Sequence, residues 1–184
     1  GVSPVQKLQM TTQEGENTCV VGIKGNFDDA QSAVKSIFTD KELSQKLEQK
    51  GYIFSSANSI NIGRLVPQIV YYFYAYLQAA KQGEIALGDT LNFTVPTGNF
   101  GDILAGYYAK CMGLPVNHFV CASNDNKVLY DFFRTGKYNK NREFHVTISP
   151  SMDILISSNL ERFLCHIMGQ QKTKECMTKL QNEG

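Results

Sequence analysis

The run Thr94-Val95-Pro96-Thr97-Gly98-Asn99-Phe100-Gly101-Asp102 leads directly into Ile103-Leu104-Ala105-Gly106-Tyr107. It reads as the end of a buried strand, a glycine turn and the first turns of a helix. That junction constrains the fold more than any other feature. Apolar strand-like runs alternate with helical patterns along the chain, as in a parallel sheet covered by helices. The junction also makes an anion site. The first N–H groups of a helix have no internal partner and carry the positive end of its dipole. Two glycines let the backbone come close to a bound group, and a phosphate there satisfies several donors at once. The spacing is G-x-x-G, neither G-x-G-x-x-G nor a Walker A loop, so a plain strand–helix turn remains an equal reading of the bare pattern.

The other elements follow from periodicity. Val5 to Met10 reads as part of a helix, and Thr18 to Ile23 as a first strand. Asp28 with Gln31, and Thr39 with Glu42, have the spacing of helix caps. Tyr52 to Phe54 reads as a second strand. A helix from about Asn61 to Lys81 is apolar nearly all round, which predicts a buried one, with a kink at Pro67. Leu91 to Val95 and Val116 to Cys121 read as the third and fourth strands. The helix between them stops at Gly113, and Gly101, Ala105 and Ala109 give it a small-residue face for packing on the sheet. A helix from about Asn126 to Arg134 ends at Gly136. Val146 to Ile148 reads as a short strand, and Ser158 with Glu161 as a capping box. The expected fold is α/β and three-layered, a mostly parallel sheet of about four strands with helices on both faces. Residues 1–184 read as a single domain, with 170–184 a polar helical tail.

A second strand-to-helix junction, Asn58-Ser59-Ile60-Asn61-Ile62-Gly63-Arg64, supplies hydrogen-bond donors and a planar cationic fork suited to phosphate. Ordinary capping by Ser59 or Asn61, with Arg64 in solvent, accounts for the same residues. Both junctions follow strands of one parallel sheet, and ligands bind such sheets outside the carboxyl ends of the strands.

Composition removes several function classes. The 184 residues carry 18 basic and 17 acidic side chains, a formal charge of +1. No basic stripe is present to bind nucleic acid. The longest uncharged run, Leu65 to Ala80, falls short of the roughly 20 residues that cross a bilayer. The five cysteines are scattered and odd in number, as in a cytoplasmic protein with reduced thiols. The histidines His118, His145 and His166 lack ligand spacing, so no metal site is expected.

The string PTGNFGDILAGYYAKCMGLP resembles the cofactor-phosphate loop and following helix of threonine synthase, a fold-type II enzyme dependent on pyridoxal 5'-phosphate. SSANSINIGRLVPQIVYYFYAY, VQKLQM, KGNFDDAQ and SPSMDILISSNLERF are similar to that family's segments too. The resemblance covers the chain from about Val2 to Met168. It implies the large cofactor-binding domain of a fold-type II enzyme. It also implies conversion of O-phospho-L-homoserine and water into L-threonine and phosphate. It assigns Gly98, Asn99, Phe100, Gly101 and Asp102 to the cofactor phosphate. By the same resemblance Asn58, Ser59, Asn61 and Arg64 hold the substrate phosphate. The amide of Asp102 is expected to contribute while its carboxylate points away. The strings Ser149-Pro150-Ser151-Met152-Asp153 and Ser158-Asn159-Leu160-Glu161-Arg162 read as a structural loop and a helix cap.

A lysine must carry this cofactor as a Schiff base. In the family it lies in an apolar segment ending Phe-Lys-Asp, upstream of the region matched here, and no lysine of this chain has that setting. The expectation is therefore an internal piece of the enzyme, without catalytic residues of its own and inactive alone. Two alternatives stand beside it: a phospho-lyase for another O-phospho-amino compound, and a non-catalytic anion-binding domain.

Overall fold

The computed structural model describes residues 4–25, 27–59 and 61–184. Contacts within the chain cluster in two compact units, residues 1–55 and 56–184. In the first, α1 (Pro4–Thr11), α2 (Phe27–Thr39) and α3 (Lys41–Glu48) are helical. Asp40, rather than Thr39, caps α3: its carboxylate accepts the Leu43 N–H at 3.0 Å. Thr39 instead turns its hydroxyl back onto the Lys35 carbonyl at the end of α2. Helix α2 begins one residue before Asp28. The side chains of Asp28 and Gln31 lie outside the described residues.

Neither Thr18 to Ile23 nor Tyr52 to Phe54 is a strand. A strand is held by its ladder partners, and the described residues give these runs none. Val21 and Ile53 are accordingly 78% and 80% exposed.

The second unit runs α4 (Ile62–Leu65), α5 (Ile69–Lys81), β1 (Leu91–Pro96), α6 (Gly101–Cys111), β2 (Val116–Ala122), α7 (Val128–Thr135), α8 (Leu160–Met168) and α9 (Gln170–Glu183). Among the described residues two strands form the sheet, where about four were expected. They are parallel, with Leu91 opposite Val116, Val95 opposite Cys121, and a register shift between Leu91 and Phe93. Val146 to Ile148 forms no strand. Instead Thr147 is held by Asp153, whose carboxylate also takes hydrogen bonds from Asn124 and Asn126. Burial would raise the Asp153 carboxyl, but these donors outweigh it and hold it below its ordinary value.

Pro67 breaks the expected 61–81 helix. Residues Val66–Gln68 form a 3₁₀ turn between α4 and α5, since proline has no N–H to donate and its ring crowds the preceding turn. One face of α5 is buried through Tyr72 and Tyr76, next to fully buried Leu65. The opposite face is exposed at Val70, Tyr71 and Tyr74. The two-stranded sheet offers the helix a single apolar surface, so the helix is not buried all round as its composition predicts.

Ala105 and Ala109 are fully buried on α6. The closest approach falls at Gly106, where a Cβ would lie 2.5 Å from the Tyr72 ring and 2.7 Å from Phe119 of β2. Tyr72, Phe93 and Phe119 pack ring against ring beside it. Gly113, at φ +103°, ends the helical segment, and the Leu114 N–H returns to the Ala109 carbonyl. This core fixes the carboxyl end of β1 against the first turn of α6.

Candidate functional site

At the end of β1 the Thr97 N–H donates to the Ala122 carbonyl at 2.9 Å, the last rung shared with β2. The chain then leaves the sheet, and α6 starts at Gly101. Its N-cap, Phe100, has φ 60° and ψ 14° and makes no side-chain cap. Left-handed backbone is costly for a bulky residue. The Phe100 ring is buried, with Phe163 and Phe133 at centroid distances of 5.4 and 6.0 Å, and this packing holds the conformation. Among the described residues, the N–H groups of Gly98, Asn99, Phe100, Gly101 and Asp102 donate to no protein acceptor. The carbonyls of the same loop are tied down. Ser157 Oγ donates to the Gly98 carbonyl at 2.9 Å. The Asn159 N–H and Nδ2 both donate to the Asn99 carbonyl at 3.0 Å.

Gly98 makes room for its protein neighbours. A Cβ on Gly98 would lie 2.9 Å from the Ser151 carbonyl oxygen and 3.2 Å from Met152 Cα. On Gly101 it would lie 3.4 Å from Ser59 Cβ and 3.5 Å from Asn159 Nδ2. At Gly98 a Cβ would crowd backbone that cannot move aside cheaply, whereas at Gly101 it would make ordinary van der Waals contacts.

The second loop is satisfied differently. Asn61 caps α4: its Oδ1 accepts the Gly63 N–H at 2.9 Å, and its Nδ2 donates to the Ser56 carbonyl at 2.8 Å. Ser59 Oγ donates to Asn58 Oδ1 at 3.2 Å. Arg64, in the only turn of α4, is exposed.

An open, polar cleft of about 480 Å³ brings the two loops together. Asn58, Ser59 and Arg64 line one side. Gly98, Asn99, Phe100, Gly101 and Asp102 line the other. Asn61 is not among the lining residues; both ends of its amide are engaged by the backbone. None of the lysines lines the cleft. The cleft joins helix N–H groups, amide and hydroxyl side chains and one guanidinium, a donor set suited to phosphate.

Asp102 qualifies that balance, since it is an acidic residue among those lining the cleft. Burial raises its carboxyl above the ordinary value, although the residue keeps much of its solvent contact, and hydrogen bonding with Tyr72 pulls the other way. Tyr72 donates its phenol to the Asp102 carbonyl oxygen at 2.8 Å. Burial first, then the Asp102 charge, pushes that phenol far above its ordinary value, so it remains a donor.

No protein-family model matches the chain. It is 50% identical over 184 residues to threonine synthase-like 1 of Homo sapiens, covering 99% of this chain and 24% of that protein. It is 47% identical over 176 residues to the threonine synthase of Schizosaccharomyces pombe, covering 90% of this chain and 33% of that enzyme. The crystal structure of threonine synthase from Brucella melitensis, with pyridoxal phosphate bound, superposes with a TM-score of 0.84 at 45% identity. That match covers 100% of this chain and 38% of the Brucella chain.

The chain is a relative of the threonine synthases.

Yeast threonine synthase gives a TM-score of 0.80 at 39% identity, over 99% of this chain and 36% of that one. The chain thus spans 24% of human threonine synthase-like 1 and 33–38% of the threonine synthases named above. The likeness to solved threonine synthases runs through both loops of the cleft, since it covers the whole chain.

Sequence reasoning missed the residues behind the cleft. Ser158 and Glu161 were expected to box the start of α8. The helix starts at Leu160 instead, and its N-cap, Asn159, makes no side-chain cap. Asn159 is fully buried and turned toward Asn99 and Arg162. The Ser158 and Glu161 spacing read as a capping box and gave Asn159 no role of its own. In this chain the 157–159 segment holds the glycine loop from behind.

Proposed function

We propose that the protein carrying this chain is a pyridoxal 5'-phosphate-dependent lyase of the threonine synthase type. It would convert O-phospho-L-homoserine and water into L-threonine and inorganic phosphate. The observation that carries the reading is the single cleft into which two loops, each suited to phosphate, both open. A cofactor and a substrate that each bear a phosphate call for such a pair.

The residues fit the cofactor's phosphate. Five N–H groups from Gly98 to Asp102 lack protein acceptors, at the positive end of α6. They would hold it without any charged side chain. Asn58, Ser59 and Arg64 would hold the substrate phosphate, with Arg64 supplying the only full positive charge on the cleft wall. Asn61 would act by fixing the turn that presents them. When bound, the cofactor supplies an electron sink for carbanion chemistry. This chain's own part is binding and orientation: two phosphates held at fixed separation set where the rest of each molecule can lie. With no lysine on the cleft wall, residues 1–184 alone would not turn over substrate. The protein is not expected to need a metal.

The 50% identity to threonine synthase-like 1 favours keeping a second reading. In it the same cleft serves a phospho-lyase acting on another O-phospho-amino compound. The full-length protein, supplied with pyridoxal phosphate and O-phospho-L-homoserine, should release threonine and phosphate in equal amounts. Phosphate release without threonine, or from a different O-phospho-amino substrate only, selects the second reading. Threonine formation by residues 1–184 alone would disprove the lysine argument.

A further inference from the structure

Behind the cleft, one short segment touches both loops. Ser157 Oγ and the Asn159 N–H and Nδ2 hold the carbonyls of Gly98 and Asn99. The other end of the Asn159 amide, Oδ1, accepts from Arg162 Nη1. The same Arg162 nitrogen donates to the Ser59 carbonyl at 3.1 Å. Gly101 closes the arrangement, with both Ser59 and Asn159 within van der Waals reach of where its Cβ would be. Neither Ser157, Asn159 nor Arg162 lines the cleft.

The consequence follows from peptide geometry. In a trans peptide the C=O and the next N–H point in opposite directions, and no peptide bond here is cis. Fixing the Gly98 and Asn99 carbonyls on the 157–159 side therefore turns the N–H groups of Asn99 and Phe100 to the other side. Both residues line the cleft there. A free loop could rotate either peptide and present a carbonyl, which repels an anion. Ser157 is itself held: its N–H donates to Tyr138 Oη at 2.8 Å, and the Tyr138 hydroxyl donates to the Leu155 carbonyl at 3.0 Å.

We infer that Ser157, Asn159 and Arg162 are positioning residues that aim the amides of the glycine loop and tie that loop to Ser59. One joint thereby sets the separation of the two phosphate sites. The inference rests on the proposed function for the identity of the anions. It adds that the two sites are mechanically one unit.

The test uses the full-length protein and three variants: Ser157→Ala, Asn159→Asp and Arg162→Lys. Ser157→Ala removes one hydroxyl. Asn159→Asp keeps the acceptor for Arg162 but loses the Nδ2 donor to Asn99. Arg162→Lys keeps the charge but lacks the planar fork. The readouts are the dissociation constants for pyridoxal phosphate and for inorganic phosphate, the ³¹P chemical shift of each when bound, and the thermal midpoint. Ser157→Ala and Asn159→Asp should each weaken pyridoxal phosphate by about 2- to 10-fold, the range for one lost hydrogen bond, with a displaced ³¹P resonance. Arg162→Lys should weaken both anions, because it loosens both loops. Lower thermal midpoints with unchanged affinities and unchanged ³¹P shifts would mean simple structural support and overturn the inference. If Asn159→Asp fails to fold, the other two variants decide. A wild-type protein that ignores pyridoxal phosphate would refute the proposed function instead, and the inorganic phosphate measurements would still decide the joint.

Discussion

The two loops of the cleft look alike in sequence and work by different physics. Gly98 to Asp102 presents backbone: its N–H groups are free, and its carbonyls are held from behind by Ser157 and Asn159. Asn58 to Arg64 presents side chains, and Asn61 stiffens its own turn through two local hydrogen bonds. A loop that binds through backbone has no side chain to reorient, so its geometry must be fixed by distant residues. A loop that binds through side chains can be built from local capping. Substitutions in the first loop should therefore act through shape, and those in the second through charge and hydrogen bonding.

The largest effect should come from Gly98→Val in the full-length protein. A side chain there meets the Ser151 carbonyl and Met152 backbone, neither of which can move away cheaply. Overpacking of this kind costs about 1–3 kcal/mol, and it displaces the loop whose amides matter. Pyridoxal phosphate binding should become undetectable, with a smaller loss of phosphate inhibition at the second loop passed on through the shared joint. Normal cofactor content in this variant would sink the distinction between the loops. Next in size is Arg64→Ala, which removes the cleft's only guanidinium. Binding of the phosphorylated substrate should weaken by about 1.5–3 kcal/mol, the range for hydrogen bonds to charged groups, with cofactor affinity unchanged. An unaltered Michaelis constant and turnover would take Arg64 out of the site.

How much of this was legible in the sequence depended on the reach of each signal. Strands β1 and β2, the Gly113 stop and the glycine loop are local patterns, and they lie where the chain predicts them; the Asn58 to Arg64 loop leads into a helix as expected, but no strand precedes it among the described residues. The joint is not local. Ser157 and Asn159 reach the glycine loop across 59 and 60 residues, and Arg162 reaches Ser59 across 103. Only the fold brings those partners together. Phe100 is similar: its left-handed backbone depends on aromatic neighbours from α7 and α8 that no local propensity foretells. The strands expected at Thr18 to Ile23 and Tyr52 to Phe54 fail for a related reason. Apolar, β-branched composition marks a segment that can pair, and pairing then needs a neighbour to supply the ladder.

A smaller effect sharpens the comparison at Asn61. The resemblance to the family assigns it to substrate phosphate, whereas its geometry is that of a cap. Asn61→Ala should lower stability by about 1 kcal/mol, the usual cost of losing an N-cap, read as a lower urea midpoint. Anion affinity should fall by less than for Arg64→Ala. A raised Michaelis constant with an unchanged midpoint would instead give Asn61 a direct contact.

The smallest effect concerns Asp102, the one acid on the cleft wall. Burial raises its carboxyl above the ordinary value of about 3.9. At low pH it is neutral and leaves the neighbouring amides to an anion undisturbed. As pH rises through its elevated pKa, a negative charge appears beside the glycine loop and anion affinity falls. The same sign governs folding: its contribution to stability is present on the acid side and lost as pH rises through that pKa. The residue is exposed, so the charge is screened and its effect on binding is of order 0.2–1 kcal/mol. Sulfate is the right probe, because its own charge does not change across this range while that of phosphate does. Wild-type protein should bind sulfate more weakly as the pH climbs from the acid side. Asp102→Asn should remove that dependence and leave the affinity near the wild-type acid-side value. A slope that survives in Asp102→Asn would belong to another group, and the glycine loop would then bind its anion without opposition from its own first-turn carboxylate.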